Sequence, residues 1–252
     1  MTGPWVRCYE SRPQARLRLF CFPHAGGTAS AYRLWPPLLP AGVEMLAVQY
    51  PGREERFSET LLTNMDDLVE ELVAGIRAEL DRPFVFFGHS MGAAVAYETA
   101  LALHRLGLPA PQRLVVSGKE APEHVEFGEV HLRTDDGLVE QLVGLGGTGT
   151  AVLEHPELRE LLLPIVRADY QLIETYRPSP GPVLSCPVTA FVGDEDPELT
   201  VDQARDWNKV TTGEFDLQVF SGDHFYLMDG RAQVVAALNR RLPLAPSWPS
   251  TP

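Results

Sequence analysis

A serine set between two glycines, a histidine near the end of the chain and a group of acids between them are the residue types that break acyl bonds by nucleophilic attack. Gly88-His89-Ser90-Met91-Gly92 follows the apolar run PFVFFG (83–88) and precedes AAVAYETALAL, a run of good helix formers. In that setting a tight turn lifts the serine hydroxyl above the edge of a sheet, and small residues at 88 and 92 let strand and helix approach. The helix start then aims the Met91 N–H at any oxyanion that develops.

A serine hydroxyl is a weak nucleophile at neutral pH, so it needs a base, and the base needs a carboxylate to orient it. His224, in Ser221-Gly222-Asp223-His224-Phe225, lies between a strand-like run and a helical one, where a loop side chain can lean over a sheet edge. Asp194-Glu195-Asp196-Pro197 ends the run CPVTAFVG. Asp196 is the expected carboxylate, because the turn past Gly193 carries it back over the edge and Pro197 stiffens it. Asp194 suits the turn itself and is the first alternative, with Glu195 and Asp223 behind it. A second oxyanion donor is expected from the loop Phe22-Pro23-His24-Ala25-Gly26-Gly27, whose glycines let backbone N–H groups turn inward. His24 is read as support for that loop.

These residues need a scaffold. Strand-like runs at 16–22, 43–50, 83–88, 113–118, 186–193 and 215–220 alternate with helical patterns, which predicts an α/β fold with a mostly parallel sheet covered on both faces. Met65, Leu68, Val69, Leu72, Val73, Ile76 and Leu80 share one face of a predicted helix that Thr63 or Asn64 can cap. A second helix is predicted from Ser90 or Met91 to near Gly107, and a last one over 232–242. Residues 119–182 break the alternation and read as an inserted helical cap, or lid, on a core formed by 1–118 and 183–252. In the cap Leu138, Leu142 and Leu145, then Leu158, Leu161, Leu162, Ile165, Tyr170 and Ile173, fall at helical spacing. LGGTGT (145–150) reads as a break that lets the cap helices move, and the proline-rich end of the chain as a frayed tail.

Composition narrows the function. With 44% hydrophobic and 22% charged residues, the 252-residue chain can bury a substantial core. Its 21 basic and 34 acidic residues give a net charge of −13, which repels nucleic acid. No run reaches the ~18 apolar residues of a membrane span and the opening lacks a signal-peptide pattern, so a cytoplasmic protein is expected, away from membranes. Residues 1–56 carry seven arginines and four acids, which marks that part as a face for an acidic partner. Cys8, Cys21 and Cys186 are read as reduced thiols. No histidine pair has metal-ligand spacing, so neither metal nor cofactor is expected.

The order Ser90, Asp196, His224 is that of α/β-hydrolases. Beyond it, FCFPHAGG (20–27), Pro51-Gly52-Arg53-Glu54-Glu55-Arg56, FFGHSMGA (86–93), GGTGT, ADYQLIETY (168–176), VGDEDP (192–197) and GDHFYL (222–227) resemble, in order, the signatures of type II thioesterases that accompany polyketide synthases and nonribosomal peptide synthetases. The resemblance implies an α/β-hydrolase fold, a triad of Ser90, Asp196 and His224, and an oxyanion hole made by the amides of Ala25 and Met91. It also implies a substrate, short or aberrant acyl groups held as thioesters on the phosphopantetheine arm of acyl or peptidyl carrier protein domains. Carriers are usually acidic, as this chain is, so a docking face must be local. Arg53 and Arg56 are where it is expected.

The triad alone fits a generic carboxylesterase or lipase, or an acyltransferase, equally well. A catalytically silent module that binds carrier proteins is the alternative from another class.

Overall fold

Residues 3–145, 155–178 and 183–244 are described by a computed structural model. Six runs of mainly apolar residues form the parallel strands β2 (Leu17–Phe22), β3 (Val43–Val48), β4 (Phe84–His89), β5 (Leu114–Ser117), β6 (Val188–Gly193) and β7 (Phe215–Phe220). A two-residue strand, β1 (Val6–Arg7), pairs antiparallel with β3 at the edge, giving the order β1-β3-β2-β4-β5-β6-β7. At two residues, β1 is too short to show alternation in the sequence.

Side chains alternate along the strands and supply two separate cores. Phe20, Phe22, Phe84, Phe86, Leu114 and Val116 face the helices α1 (Met65–Ile76) and α2 (Met91–Arg105). Leu19, Cys21, Val85, Phe87 and Val115 face Tyr32, Trp35 and the last helix, α7 (Arg231–Asn239). Burial of both faces is why these strands read as continuous apolar runs. Asn64 caps α1, accepting hydrogen bonds from the Asp66 and Asp67 amides at 2.8 and 3.2 Å. The expected helix to Leu80 ends at Ile76 and tightens into a 3-10 turn over Arg77–Glu79.

Between β5 and β6 lie α3 (Asp135–Gly144) and α4 (Pro156–Thr175), preceded by two short 3-10 turns. Leu138 on α3 packs with Leu163, Val166 and Tyr170 on α4. Leu158 and Leu161, expected on the buried face of the cap, are instead 42% and 49% exposed. They precede Pro164, and burial along the helix begins only at Leu163, where it packs against α3. The predicted glycine break falls largely at 146–150, and the predicted frayed tail largely at 245–252; these stretches lie outside the described residues. Two short helices, α5 (Val201–Arg205) and α6 (Tyr226–Asp229), were not anticipated from the sequence. Among the described residues, no helix is long and apolar enough to cross a membrane.

The register lines up the strand ends that matter. Phe22 pairs with Gly88, His89 with Ser117, Ser117 with Phe191, and Gly193 with Phe220. The loops carrying Ala25, Ser90, Asp196 and His224 all leave this one edge. The chain reverses its direction of travel across the sheet between β2 and β4, the place where open α/β sheets form clefts at their carboxyl edge.

Candidate active site

Ser90 occupies the bend between β4 and α2 with φ 53° and ψ −123°, a conformation that costs an L-residue on the order of 1–3 kcal/mol. Its amide donates to the Ser117 carbonyl at 2.8 Å and its carbonyl accepts from the Ala93 amide at 2.9 Å, so both sides of the bend are held. A Cβ at Gly88 would come within 2.1 Å of the Gly92 carbonyl oxygen, and one at Gly92 within 2.1 Å of the Phe22 carbonyl oxygen. Only glycine fits at either position. The chain therefore turns sharply enough to leave the Ser90 side chain half-exposed above the sheet.

His224 follows β7 and is 1% exposed. Its Nδ1 lies 2.9 Å from Oδ2 and 3.1 Å from Oδ1 of Asp196, whose side chain is fully buried. Asp196 Oδ1 also accepts the Glu198 amide at 3.0 Å. The structure brings Asp196, rather than Asp194, to the imidazole. Asp194 Oδ1 accepts the Gly222 amide at 2.9 Å and Asp223 Oδ1 the Phe225 amide at 2.7 Å, so both shape turns. With a carboxylate at Nδ1, that nitrogen carries the proton and Nε2 is left as the basic one.

Ser90, Met91, Ala25 and His224 line one cavity of about 60 Å³, walled on the cap side by Leu142, Leu145, Tyr170 and Ile173. Of the loop amides, Gly26 donates to Asp169 Oδ2 at 2.7 Å and Gly27 to the His24 carbonyl at 2.9 Å. The Ala25 amide has no protein acceptor among the described residues. Met91 opens α2, so its N–H is one of the four that a helix leaves without an internal partner.

Two other histidines flank the site. His24 packs against Phe225, and its pKa is lowered to about 4 by burial and by the neighbouring His224 and Arg53. His89 is fully buried with its ring 5.1 Å from that of His224, and burial together with His224 and His24 pushes its pKa well down. Its Nδ1 is 2.9 Å from Ser117 Oγ, which is 2.5 Å from the Tyr226 hydroxyl. A neutral His89 places no competing charge beside His224. In the sequence, the one signal of this network is an imidazole inside the glycine-flanked turn, which by itself assigns no role.

One expectation is corrected. Arg53 and Arg56 are 3% and 5% exposed and offer no docking face. Arg53 forms a two-pronged ion pair with Asp169 on α4, at 2.7 and 2.8 Å. Arg56 lies over the Trp5 ring, 4.1 Å from its centroid, and pairs with Glu59 at 2.6 Å. The Arg53 charge is neutralised inside the protein, and that of Arg56 by a carboxylate that is itself exposed. Elsewhere, Glu123, His124 and Asp206 come close enough to one another to share a cation, but Lys209 already ion-pairs with both acids.

A model of the thioesterase domain family matches residues 17–242. The chain belongs to the thioesterase family. This thioesterase is 41% identical over 223 residues to the probable cadicidin biosynthesis thioesterase of Streptomyces griseus, a match covering 88% of this chain and 62% of that one. It is 40% identical over 229 residues to the thioesterase PikA5 of Streptomyces venezuelae, covering 90% and 82% of the two chains. In three dimensions it resembles the type II thioesterase BorB from the borrelidin biosynthetic cluster, with a TM-score of 0.87 and 39% identity over 95% of this chain and 98% of that one. The sheet and its helices are those of the α/β-hydrolase fold.

Proposed function

We propose that this thioesterase is an editing, type II enzyme. It hydrolyses short or aberrant acyl groups from the phosphopantetheine arm of acyl or peptidyl carrier proteins in polyketide and nonribosomal peptide biosynthesis. The observation that carries the reading is the His224–Asp196 hydrogen bond at the wall of the cavity that Ser90 enters. Solved relatives whose names place them in NRPS/PKS pathways, among them a type II thioesterase of yersiniabactin biosynthesis, support the substrate class.

In the first half-reaction Ser90 Oγ attacks the thioester carbonyl while His224 Nε2 takes its proton. Charge builds on the carbonyl oxygen, where the Ala25 and Met91 amides receive it. The C–S bond breaks, the imidazolium protonates the departing thiolate, and the acyl group stays on Ser90. In the second half-reaction His224 deprotonates a water that attacks this ester. The carboxylic acid leaves and Ser90 regains its proton. Asp196 keeps its own charge throughout and stabilises the imidazolium that forms twice per turnover. Each atom consumed comes from the thioester or from water, and the phosphopantetheine belongs to the substrate. In this reading the enzyme itself uses no metal or organic cofactor.

The test is a panel of acylated carrier proteins assayed beside matched oxoesters, with Ser90→Ala as control. Release of free acid from the carriers in preference to the oxoesters supports the editing reading. Equal or faster cleavage of the oxoesters would make the protein a general esterase, and transfer to an alcohol or amine would make it an acyltransferase. Carrier binding without turnover would leave only a binding module.

A further inference from the structure

We propose that Arg53 and Asp169 are positioning residues: their buried pair clamps cap helix α4 to the 24–27 loop and so holds the Ala25 amide where the oxyanion forms. This rests on the proposed catalytic reading and adds a part that the triad does not contain.

Both side chains are nearly sealed from solvent, at 4% and 3% exposure. Their bonds converge on two consecutive residues. Asp169 Oδ2 accepts the Gly26 amide at 2.7 Å together with Arg53 Nη1 at 2.7 Å, and Nη1 also donates to the Gly27 carbonyl at 3.1 Å. Arg53 Nε reaches back to the Pro51 carbonyl at 3.3 Å. The carboxylate thus pins the peptide that follows Ala25, and the guanidinium pins the end of the same turn.

Gly26 has φ +75°, and a Cβ there would meet Val166 Cγ2 at 2.8 Å, so α4 also packs directly against the loop backbone. Ala25 itself rests on the cluster that joins α3 to α4. With the Gly26 and Gly27 amides occupied, the Ala25 amide is the one of the three without a protein acceptor among the described residues, and Ala25 lines the same cavity as Ser90. The donor is therefore held by the cap as well as by the sheet. A shift of α4 would withdraw it, so the position of the cap sets catalytic competence.

Energetics favour this over a purely stabilising role. A buried ion pair can often be replaced by apolar residues of similar volume without loss of stability, whereas removal of one partner leaves an uncompensated charge. The decisive variant is the double substitution Arg53→Met with Asp169→Leu, which removes both charges together. Asp169→Asn leaves the Arg53 charge uncompensated and counts only if it is shown to fold, whereas Arg53→Lys keeps both charges, loses the two-pronged geometry and serves if the double variant does not fold.

Hydrolysis of propionyl-N-acetylcysteamine thioester gives kcat and KM, a trifluoromethyl ketone analogue of that substrate gives an inhibition constant, and thermal unfolding reports the fold. Loss of one well-placed oxyanion donor lowers kcat by about 10²-fold, and the folded double variant is expected to show that loss. Its KM should stay within about threefold, while the ketone weakens in step with kcat, because both depend on the donor. Asp169→Asn, which can still accept the Gly26 amide, should lose about tenfold. Folded variants with kcat within about threefold of the parent, or with lowered kcat and unchanged ketone affinity, overturn the proposal. Full hydrolysis by Ser90→Ala would instead overturn the catalytic reading beneath it, so the two failures are distinguishable.

Discussion

His224 Nδ1 and Asp196 Oδ2 lie 2.9 Å apart, across a contact from which water is almost wholly excluded. In such a place a carboxylate is a strong partner for an imidazolium, because little solvent screens the charge. It also holds the neutral ring in the tautomer that leaves Nε2 free.

Replacing Asp196 by Asn keeps the shape and removes the charge, and the amide can stabilise the wrong tautomer. Steady-state thioester hydrolysis should fall by about 10³–10⁴-fold in kcat, with the melting temperature little changed. Asp194→Asn, by contrast, should stay within about tenfold of the parent, since Asp194 only accepts a turn amide. A larger loss in Asp194→Asn than in Asp196→Asn would reverse the assignment.

Gly88→Ala tests the bend itself. The added methyl would sit 2.1 Å from the Gly92 carbonyl oxygen, which is backbone and cannot swing away as a flexible side chain can. Overpacking of this kind costs about 3 kcal/mol or more. In a chain of this length that lowers the melting temperature by roughly 6–12 °C. Calorimetry of Gly88→Ala beside Gly107→Ala, where an added Cβ meets nothing within 4 Å, separates crowding from the backbone strain of a positive φ.

The pH dependence of stability has a defined sign. His24 has a pKa of about 4 in the folded protein, lowered from the usual 6.5 of an imidazole by burial and by His224 and Arg53. Between those values the unfolded chain binds more protons, so stability is fully present above about pH 6.5 and is lost as pH falls toward 4. The loss from this residue is on the order of 3 kcal/mol. Urea unfolding at a series of pH values should show a shallower acid decline for His24→Gln. His89, displaced in the same direction, adds to the slope of the parent.

The buried thiols should be inert. Burial raises the pKa of Cys21 well above its usual value and that of Cys186 to about 11, so almost no thiolate is present at pH 8. A disulfide reagent should modify Cys21 and Cys186 only after denaturation. The partly exposed Cys8 should react in the native state, slowly, because burial and Glu44 also raise its pKa.

How much of this was readable from the chain depended on how local each cause is. The six long strands and the turn at Ser90 follow from short-range facts, apolar runs and glycines where backbones nearly touch, and they are found within two residues of their predicted ends. Asp196 could be ranked above Asp194 from turn chemistry, but only the packed structure shows which one meets His224. Arg53 was misjudged for the opposite reason. A lone arginine in a sequence reads as a surface charge, and its burial depends on Asp169, which arrives from a helix 116 residues away. Leu158 and Leu161 share the face periodicity of the buried residues after Pro164, yet nothing within α4 tells that its neighbours cover the helix only from Leu163 onward.

The central claim is that Ser90 carries the acyl group between the two half-reactions. The most direct measurement is peptide mass mapping of protein quenched within milliseconds of mixing with propionyl-N-acetylcysteamine thioester, run on the parent and on Ser90→Ala. A propionyl mass on the Ser90 peptide, absent from the variant and accompanied by a loss of turnover of up to about 10⁶-fold, is the predicted result. An acyl group on any other residue, or hydrolysis by Ser90→Ala within about tenfold of the parent rate, would contradict it.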